Sequence, residues 1–480
     1  MDIEKIFSNL DCKVLQKGES FEFSSIEYDS RKIEKGDIFV AMKGFSTDGN
    51  KYIDSAIQKG AICILTDEKN HDVSNYPSVS FYYIKDLRAH LGVICARLYD
   101  HPEEKLTIIG VTGTNGKTTS TYILENVLEN SSRIGTTNYR VKDKIYTAHN
   151  TTPESLDLIK LMDESVKKGV EYFLMEVSSH ALALGRVDML KFDGAIFTNL
   201  TQDHLDYHKT FENYFKAKCH LIDLLKENAK ISLNVDDKYI KTITSKKVNT
   251  FGIHNGDIRG KVINYTTSGM NVQISVNGVE KQFHTKLIGE YNLYNILGVI
   301  SVLVNLKVDL DYIIQKISVM DCVVGRFELI PNNIGSRIVV DYAHTPDGLE
   351  NVLKTLKSIT DKKVYCLFGA GGNRDKTKRP IMAKVASKYS DFIILTSDNP
   401  RMEDPSSILD DIEKGLIEVN YTKYIKIEKR EEAIKKAISL LKEGDGLMIA
   451  GKGHETYQII GNVTRYFSDQ EEVKKCLQKI

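Results

Sequence analysis

The segment Thr112-Gly-Thr-Asn-Gly-Lys-Thr-Thr-Ser120 combines residue types that can hold a polyphosphate. Gly113 and Gly116 let backbone N–H groups turn towards oxygen anions, and a helix opening at the end of the segment adds partial positive charge. Lys117 can reach the terminal phosphates and the Thr118 hydroxyl can ligate Mg²⁺, with Thr114, Asn115 and Thr119 completing the cradle. ATP with Mg²⁺ is therefore expected. The common pattern would place Gly at position 111, where this chain has Val.

Further along, Glu176 ends an apolar run, and ligands of parallel sheets gather at the carboxyl ends of strands. A carboxylate there suits a hard cation that takes oxygen ligands. Asn199-Leu-Thr-Gln-Asp-His-Leu-Asp-Tyr-His208 packs two Asp and two His into ten residues. Alone, such a cluster could bind zinc; with a phosphate loop in the same segment, Mg²⁺ is the better reading, and His208 reads equally as a surface histidine. Three later loops supply Arg374, then Asp398-Asn-Pro-Arg401, then Gly451 and Glu455. Pro400 stiffens its loop, and Arg401 offers a fork that grips a carboxylate through two bonds. Two Arg and a Glu suit a zwitterionic amino acid with a distal carboxylate and ammonium.

The elements that must position these residues alternate. Short apolar runs at 61–65, 106–111, 172–177, 194–198, 364–368, 392–396 and 447–450 read as buried parallel strands, with helical patterns between them. The fold class is α/β, with a central P-loop parallel-sheet ATPase domain and a Rossmann-like C-terminal domain. At about 150 residues per domain, 480 residues imply roughly three. Breaks near His101-Pro102 and Val324-Gly325 set them at 1–103, 104–325 and 326–480.

Composition excludes several function classes. Lys plus Arg and Asp plus Glu both number 65, so the net charge is zero and a generally basic nucleic-acid binder is excluded. The richest apolar run, Ile296 to Val304, is half a membrane span. Met1-Asp-Ile-Glu-Lys-Ile6 has no features of an export signal. Seven widely spaced Cys with no Cys-x-x-Cys pair predict reduced, mostly buried thiols rather than disulfides or zinc. A cytoplasmic protein, not inserted in a membrane, is expected.

The phosphate loop without its upstream Gly resembles that of the Mur ligase family. Asn150-Thr-Thr-Pro153, Met175-Glu-Val-Ser-Ser-His180, Thr198 to His208, Gly325-Arg-Phe-Glu328, Val340-Asp-Tyr-Ala-His-Thr-Pro-Asp347, Gly369 to Asp375, Asp398-Asn-Pro-Arg401 and Gly451-Lys-Gly-His-Glu455 resemble that family's motifs in order, as do Asp29-Ser-Arg31, Gly36-Asp37 and Asp48-Gly49. The likeness spans the chain. It is strongest for the branch that adds the third amino acid to the peptidoglycan peptide stem.

The resemblance implies three domains: one for a uridine nucleotide, one for ATP, and one that closes over the site and selects the amino acid. It implies Glu176 and His204 as Mg²⁺ ligands beside Thr118, and Asn199 and Asp203 on the nucleotide side. Lys218 is implied to be carbamylated, which turns a cation into an anion near the metals. Ser30, Asn150, Thr151, Thr152, Ser178 and Arg186 would contact UDP-MurNAc-L-Ala-D-Glu. Arg326 and Asp341, with His344 adjacent, would reach ATP. Arg374, Asp398, Asn399, Pro400, Arg401, Gly451 and Glu455 would hold diaminopimelate, meso form favoured, because the Arg closing Asp-Asn-Pro-Arg marks the members that add it.

Two positions depart from the family: Leu184 where Gln is frequent, and Asn50 where His is common. The implied reaction is amide ligation through an acyl phosphate by Lys117, Lys218 and His204 in a monomeric enzyme. The alternatives are another diamino acid (lanthionine, LL-diaminopimelate or L-lysine), a folylpolyglutamate synthetase-like ligase, or a P-loop switch.

Overall fold

The computed structural model describes residues 6–19, 23–44, 47–245, 247–266 and 268–478. They form a mixed α/β fold. By packing, the chain divides into two units. One comprises residues 1–110, 130–193 and 220–227; the other comprises 111–129, 194–219 and 228–480. The strands Thr107–Thr112 and Phe192–Phe197 carry the chain from one unit into the other.

The first unit contains a five-stranded sheet in the order Cys12–Gln16, Ser80–Ile84, Cys63–Thr66, Ile38–Ala41, Ile26–Glu27. All neighbours are parallel except Cys12–Gln16, which runs antiparallel to Ser80–Ile84. In the same unit Tyr172–Glu176 pairs parallel with Ser131–Ile134, and an antiparallel ribbon, Asn138–Val141 and Lys144–Thr147, extends that edge.

In the second unit Leu225–Asn234, Val248–Gly252 and Ile258–Thr266 are parallel neighbours, followed by two antiparallel strands, Gly269–Val276 and Val279–Thr285. The antiparallel strands extend the parallel part of this α/β region at one edge. They alternate buried and exposed residues, as Gly269–Val276 does, because one face meets water. The helix Glu290–Asn305 absorbs the long apolar run: Leu293, Ile296, Leu297, Ile300 and Leu303 are fully buried, and the helix packs against Lys117–Val127. No described helix is long and apolar enough to cross a membrane.

Residues 328–466 show the doubly wound pattern most clearly. Six strands lie in the order Glu328–Ile330, Arg337–Asp341, Gly446–Ala450, Val364–Phe368, Phe392–Leu395, Tyr424–Lys426, parallel except for the first. Alternate residues of each strand enter opposite cores. Val339, Cys366, Phe368, Ile393 and Met448 face one core; Ile338, Val340, Leu367, Ile394 and Ile449 face the other. Pro346–Ile359, Lys378–Tyr389 and Pro405–Glu418 cover the first face, and Arg430–Leu440 and Asp469–Leu477 the second. Near-continuous apolar strands follow from burial on both faces.

Three thiols, Cys63, Cys95 and Cys366, are buried; Cys12, Cys219 and Cys476 are half-buried and Cys322 is exposed. The expectation of mostly buried cysteines holds for fewer than half. The apolar run at 106–111 shifts by one residue to Thr107–Thr112, within the uncertainty of such edges.

A fully buried ion pair joins the last two helices. Arg430 Nε donates to Asp469 Oδ1 and Nη2 to Oδ2, both at 2.7 Å, and Nη2 also donates to the Ala450 carbonyl at 3.0 Å. Removing one member strands the other in a dry core. Asp469→Asn is expected to cost about 3–5 kcal/mol, read as a lower urea midpoint by circular dichroism. An Arg430→Met/Asp469→Leu double variant should lose less.

Candidate active site

The phosphate loop follows the buried strand Thr107–Thr112. At Gly116 the backbone takes φ +88°, and an added Cβ would lie 2.2 Å from Asn295 Oδ1, so only glycine fits. The Thr114 and Asn115 amides donate to the Asn199 carbonyl and Oδ1, both at 2.9 Å. An incoming anion therefore meets the amides that open the helix Lys117–Val127, which have no intrahelical acceptors. Asn199 thus braces the loop from below.

Two lysines converge beneath it. Lys117 Nζ donates to the carbonyls of Gly113 and Thr114, each at 2.8 Å, and Lys218 Nζ donates to the Gly113 carbonyl at 2.9 Å. Lys218 is 2% exposed, and its amine lies 4.8 Å over the Tyr214 ring. Burial, reinforced by the Lys117 charge, pushes the Lys218 ammonium well below the usual lysine range, so the neutral amine is favoured.

A second charged group closes this side. Burial would raise the Asp203 carboxyl, but His204, Lys378 and His344 together hold it below the usual carboxylate range. The distances from Asp203 are 3.4 Å to His204 Nε2, 3.8 Å to Lys378 Nζ and 4.0 Å to His344 Nε2. His344 donates Nδ1–H to the Tyr342 carbonyl at 2.9 Å, and its packing environment, despite a partly solvent-facing ring, lowers it to about 4. It is therefore neutral near pH 7. His208 is buried against Tyr207 and Tyr214, not on the surface.

Residues flanking the strands of the C-terminal sheet reach the phosphate loop. Arg326 Nη2 donates to Thr118 Oγ1 at 3.0 Å, and Asn115 Nδ2 donates to Asp347 Oδ2 at 2.8 Å. Asp341 accepts the Phe327 and Ala343 amides at 2.6 and 2.7 Å, and burial raises its carboxyl to about 6 against the opposing pull of Arg326.

In the other unit, Asn150, Thr151, Thr152, Glu176, Ser178 and Arg186 form one network. Thr152 Oγ1 donates to the Glu176 carbonyl at 2.8 Å and accepts the Ser178 amide at 3.0 Å; Arg186 Nη1 donates to the Thr152 carbonyl at 3.1 Å. Tyr139 bonds the Asn150 carbonyl, and Thr136 Oγ1 contacts Thr151 Oγ1 at 3.1 Å. The fully buried Glu176 carboxylate accepts Thr136 N–H and Oγ1–H, both at 2.9 Å. Ser30 is half-buried, and among the described residues its carbonyl accepts from Lys59 at 3.0 Å. Asn50, the departure from the family, donates to Asp67 and accepts from Thr66, a local structural use.

Oxygen donors such as Thr118 Oγ1 and the Glu176 carboxylate suit Mg²⁺. An amine at Lys218 does not; a carbamate there would. Among the described residues, the cluster of three His and carboxylate groups within metal-ligand spacing is His101, Glu103 and Glu104, none of them expected ligands.

The three C-terminal loops meet at adjacent strand ends. Asn399 Nδ2 donates to Glu455 Oε2 at 2.9 Å, and the fully buried Lys452 donates to the same oxygen at 3.0 Å. Burial and neighbouring Asp398 raise the Glu455 carboxyl, and Lys452 opposes them. The buried Asp398 carboxylate has no hydrogen bond among the described residues. Arg401 Nη1 donates to the Gly372 carbonyl at 2.9 Å, and exposed Arg374 lies nearby. A Cβ at Gly371 would lie 2.9 Å from Arg401 Nη1 and 3.8 Å from Arg374 Cγ.

Family models match three segments: Mur ligase family, catalytic domain, at 22–99; Mur ligase middle domain at 111–303; and Mur ligase, glutamate ligase domain, at 325–453. The chain belongs to the Mur ligase family. A relative named UDP-N-acetylmuramoyl-L-alanyl-D-glutamate--2,6-diaminopimelate ligase, from Fusobacterium nucleatum subsp. nucleatum, is 46% identical over 98% of this chain and 97% of its own length. One of the same name from Clostridium tetani is 42% identical over the whole of both. A solved structure with that name superposes with TM-score 0.67 at 29% identity, covering 100% of this chain and 99% of its own. A MurF ligase from Thermotoga maritima in complex with ADP shares the fold, with TM-score 0.67 at 21% identity over 95% and 97%.

In this Mur ligase, sequence reasoning passed over Asn295, Asp347, Lys378, Arg379, Glu403 and Lys452. Lys452 stood inside the Gly451 to Glu455 motif, and its burial beside two acids was the missing signal. Asp347 likewise closed the Val340 to Asp347 motif, and Lys378, Arg379 and Glu403 stand a few residues beyond quoted segments; the partners of all of them lie far away in sequence, where no local pattern marks them. Gly116→Ala forces Ala into the left-handed region, which costs about 1–2 kcal/mol. It should lower the melting temperature slightly, and the rise with MgATP expected of the parent protein should be lost, read by thermal melts with and without nucleotide.

Proposed function

We propose that this Mur ligase joins diaminopimelate, in the meso form, to UDP-MurNAc-L-Ala-D-Glu at the expense of ATP, as a monomer in the cytoplasm. The observation that carries this reading is identity of 39–46% along nearly the whole chain to relatives named for that reaction. The residues fit its chemistry.

Gly113 to Thr119, with Asn199, Arg326, Asp341 and His344, take the nucleotide. Ser30, Asn150, Thr151, Thr152, Ser178 and Arg186 take the nucleotide-sugar dipeptide, and Thr118, Glu176, His204 and carbamylated Lys218 serve the metal. Bound Mg²⁺ would neutralise charge on the phosphates.

Lys117 and the helix-opening amides hold the γ-phosphoryl group while the D-glutamyl carboxylate oxygen attacks its phosphorus and ADP leaves. The amine of the incoming amino acid then attacks the acyl-phosphate carbon. Phosphate departs with the bonding pair and the nitrogen loses a proton, leaving the amide. No side-chain nucleophile is needed, only positioning. Arg374 and Arg401 grip the distal carboxylate of diaminopimelate, and Asp398 and Glu455 its ammonium. Lysine keeps the distal ammonium but has hydrogen in place of the carboxylate, so Arg374 and Arg401 would face an uncompensated positive charge and repel it.

Burial favours the uncharged form of Lys218, the form that can be modified: nitrogen attacks CO₂, a proton leaves and a carbamate anion forms. Labelled bicarbonate should give a protein carbamate carbon signal by NMR that is absent in Lys218→Ala, and stripping bicarbonate should slow turnover; full activity with no such signal would refute it.

Phosphate release with the muramyl dipeptide and a panel of amino acids tests the whole reading, and release only with folate and glutamate would overturn it. Arg401→Ala should lose about 2–5 kcal/mol of diaminopimelate recognition, seen as a raised KM for that substrate with the KM for ATP unchanged.

A further inference from the structure

Beneath Arg374 and Arg401 lies a charged group that touches neither. Arg379, on the helix Lys378–Tyr389, is fully buried. Its Nη1 and Nη2 grip Glu403 Oε2 and Oε1 at 3.0 and 3.1 Å; Nη1 also donates to Asp411 Oδ2 at 3.0 Å and Nη2 to the Gly371 carbonyl at 3.2 Å. Glu403 in turn accepts the Asn373 amide and pairs with Lys376 at 3.0 Å. One guanidinium therefore ties the loop bearing Arg374 to the loop bearing Arg401.

The two loops need such a tie. Gly372 N–H donates to the Asn399 carbonyl at 2.9 Å, and the Met402 amide to Asn373 Oδ1 at 3.0 Å, so the loops run against each other. Arg401 has φ +53°, a left-handed conformation that a non-glycine residue keeps only when its surroundings enforce it. Its amide donates to the Ile459 carbonyl at 3.0 Å, and its carbonyl accepts from Gly461 at 2.7 Å. Its Nη1 is spent on the Gly372 carbonyl, leaving Nε and Nη2 without a partner among the described residues. The direction of the free edge thus depends on the spacing of the two loops.

We infer that the Arg379–Glu403 pair is a positioning element that fixes the separation and aim of Arg374 and Arg401, and so sets the preference for an amino acid with a second carboxylate. The inference rests on the substrate reading above. Asp411 holds Arg379 from the opposite side, on the helix Pro405–Glu418, and touches neither loop.

The test is steady-state phosphate release by the full-length enzyme with ATP, the muramyl dipeptide, and meso-diaminopimelate or L-lysine. Glu403→Gln keeps the shape and removes the charge. It should raise the KM for diaminopimelate about tenfold or more, narrow the preference over lysine, and leave the KM values for ATP and dipeptide within about twofold. Asp411→Asn should lower the melting temperature and leave the diaminopimelate KM unchanged. Equal KM in Glu403→Gln and parent, or parallel rises for all three substrates, would overturn the inference while the substrate reading stands. Parent enzyme with no diaminopimelate-dependent release would overturn both.

Discussion

A buried guanidinium or ammonium must meet an anion or a ring of carbonyls, because an unpaired charge in a dry core costs several kcal/mol. This constraint shapes the C-terminal sheet. Arg430 is answered by Asp469, Arg379 by Glu403 and Asp411, and Lys452 by Glu455 and Asn399. The Arg430 and Arg379 pairs join segments distant in sequence, whereas Lys452 meets Glu455 within one loop and Asn399 across to another. The pairs are spent on holding loops, which leaves Arg374, Arg401 and Asp398 able to meet a ligand.

The phosphate loop obeys the same rule with a different outcome. Lys218 is sealed under the Gly113 carbonyl beside a second lysine, with Asp203 the opposing charge acting on it. That environment favours the uncharged amine, the form that reacts with CO₂. Asp203 is held ionised chiefly by His204 and Lys378 beside it. Lys378 and His344 come from beyond residue 325, so the phosphate-loop segment and the C-terminal sheet share one electrostatic neighbourhood. Arg326 on Thr118 and Asn115 on Asp347 are further ties of the same kind.

A chain of zero net charge can nonetheless serve anionic substrates. Lys117, Arg326, Arg374 and Arg401 stand at loops and helix starts, and Arg186 pairs directly with Glu154 at 2.8 Å. Positive charge is local where field matters and absent from the average, which keeps nucleic acid and other polyanions from binding indiscriminately.

The sequence alone determined the strand-and-helix alternation, since strands buried on both faces must be apolar throughout, and residues 364–368 and 447–450 have that pattern. It also determined the phosphate loop, because only glycine tolerates the backbone at Gly116 and only a Lys–Thr pair follows usefully. Family resemblance supplied the reading of Asp398 to Arg401. The antiparallel strands at 269–285 escaped, because half-exposed strands lack an apolar run. So did the exposure of Cys322 and the burial of His208, which packing decides. Tertiary structure alone brought Arg379 under two loops, Lys452 against Asn399, and Lys378 to Asp203. Pairing of buried charges is a long-range condition: it depends on which segments the fold lays side by side, and no local spacing along the chain records that.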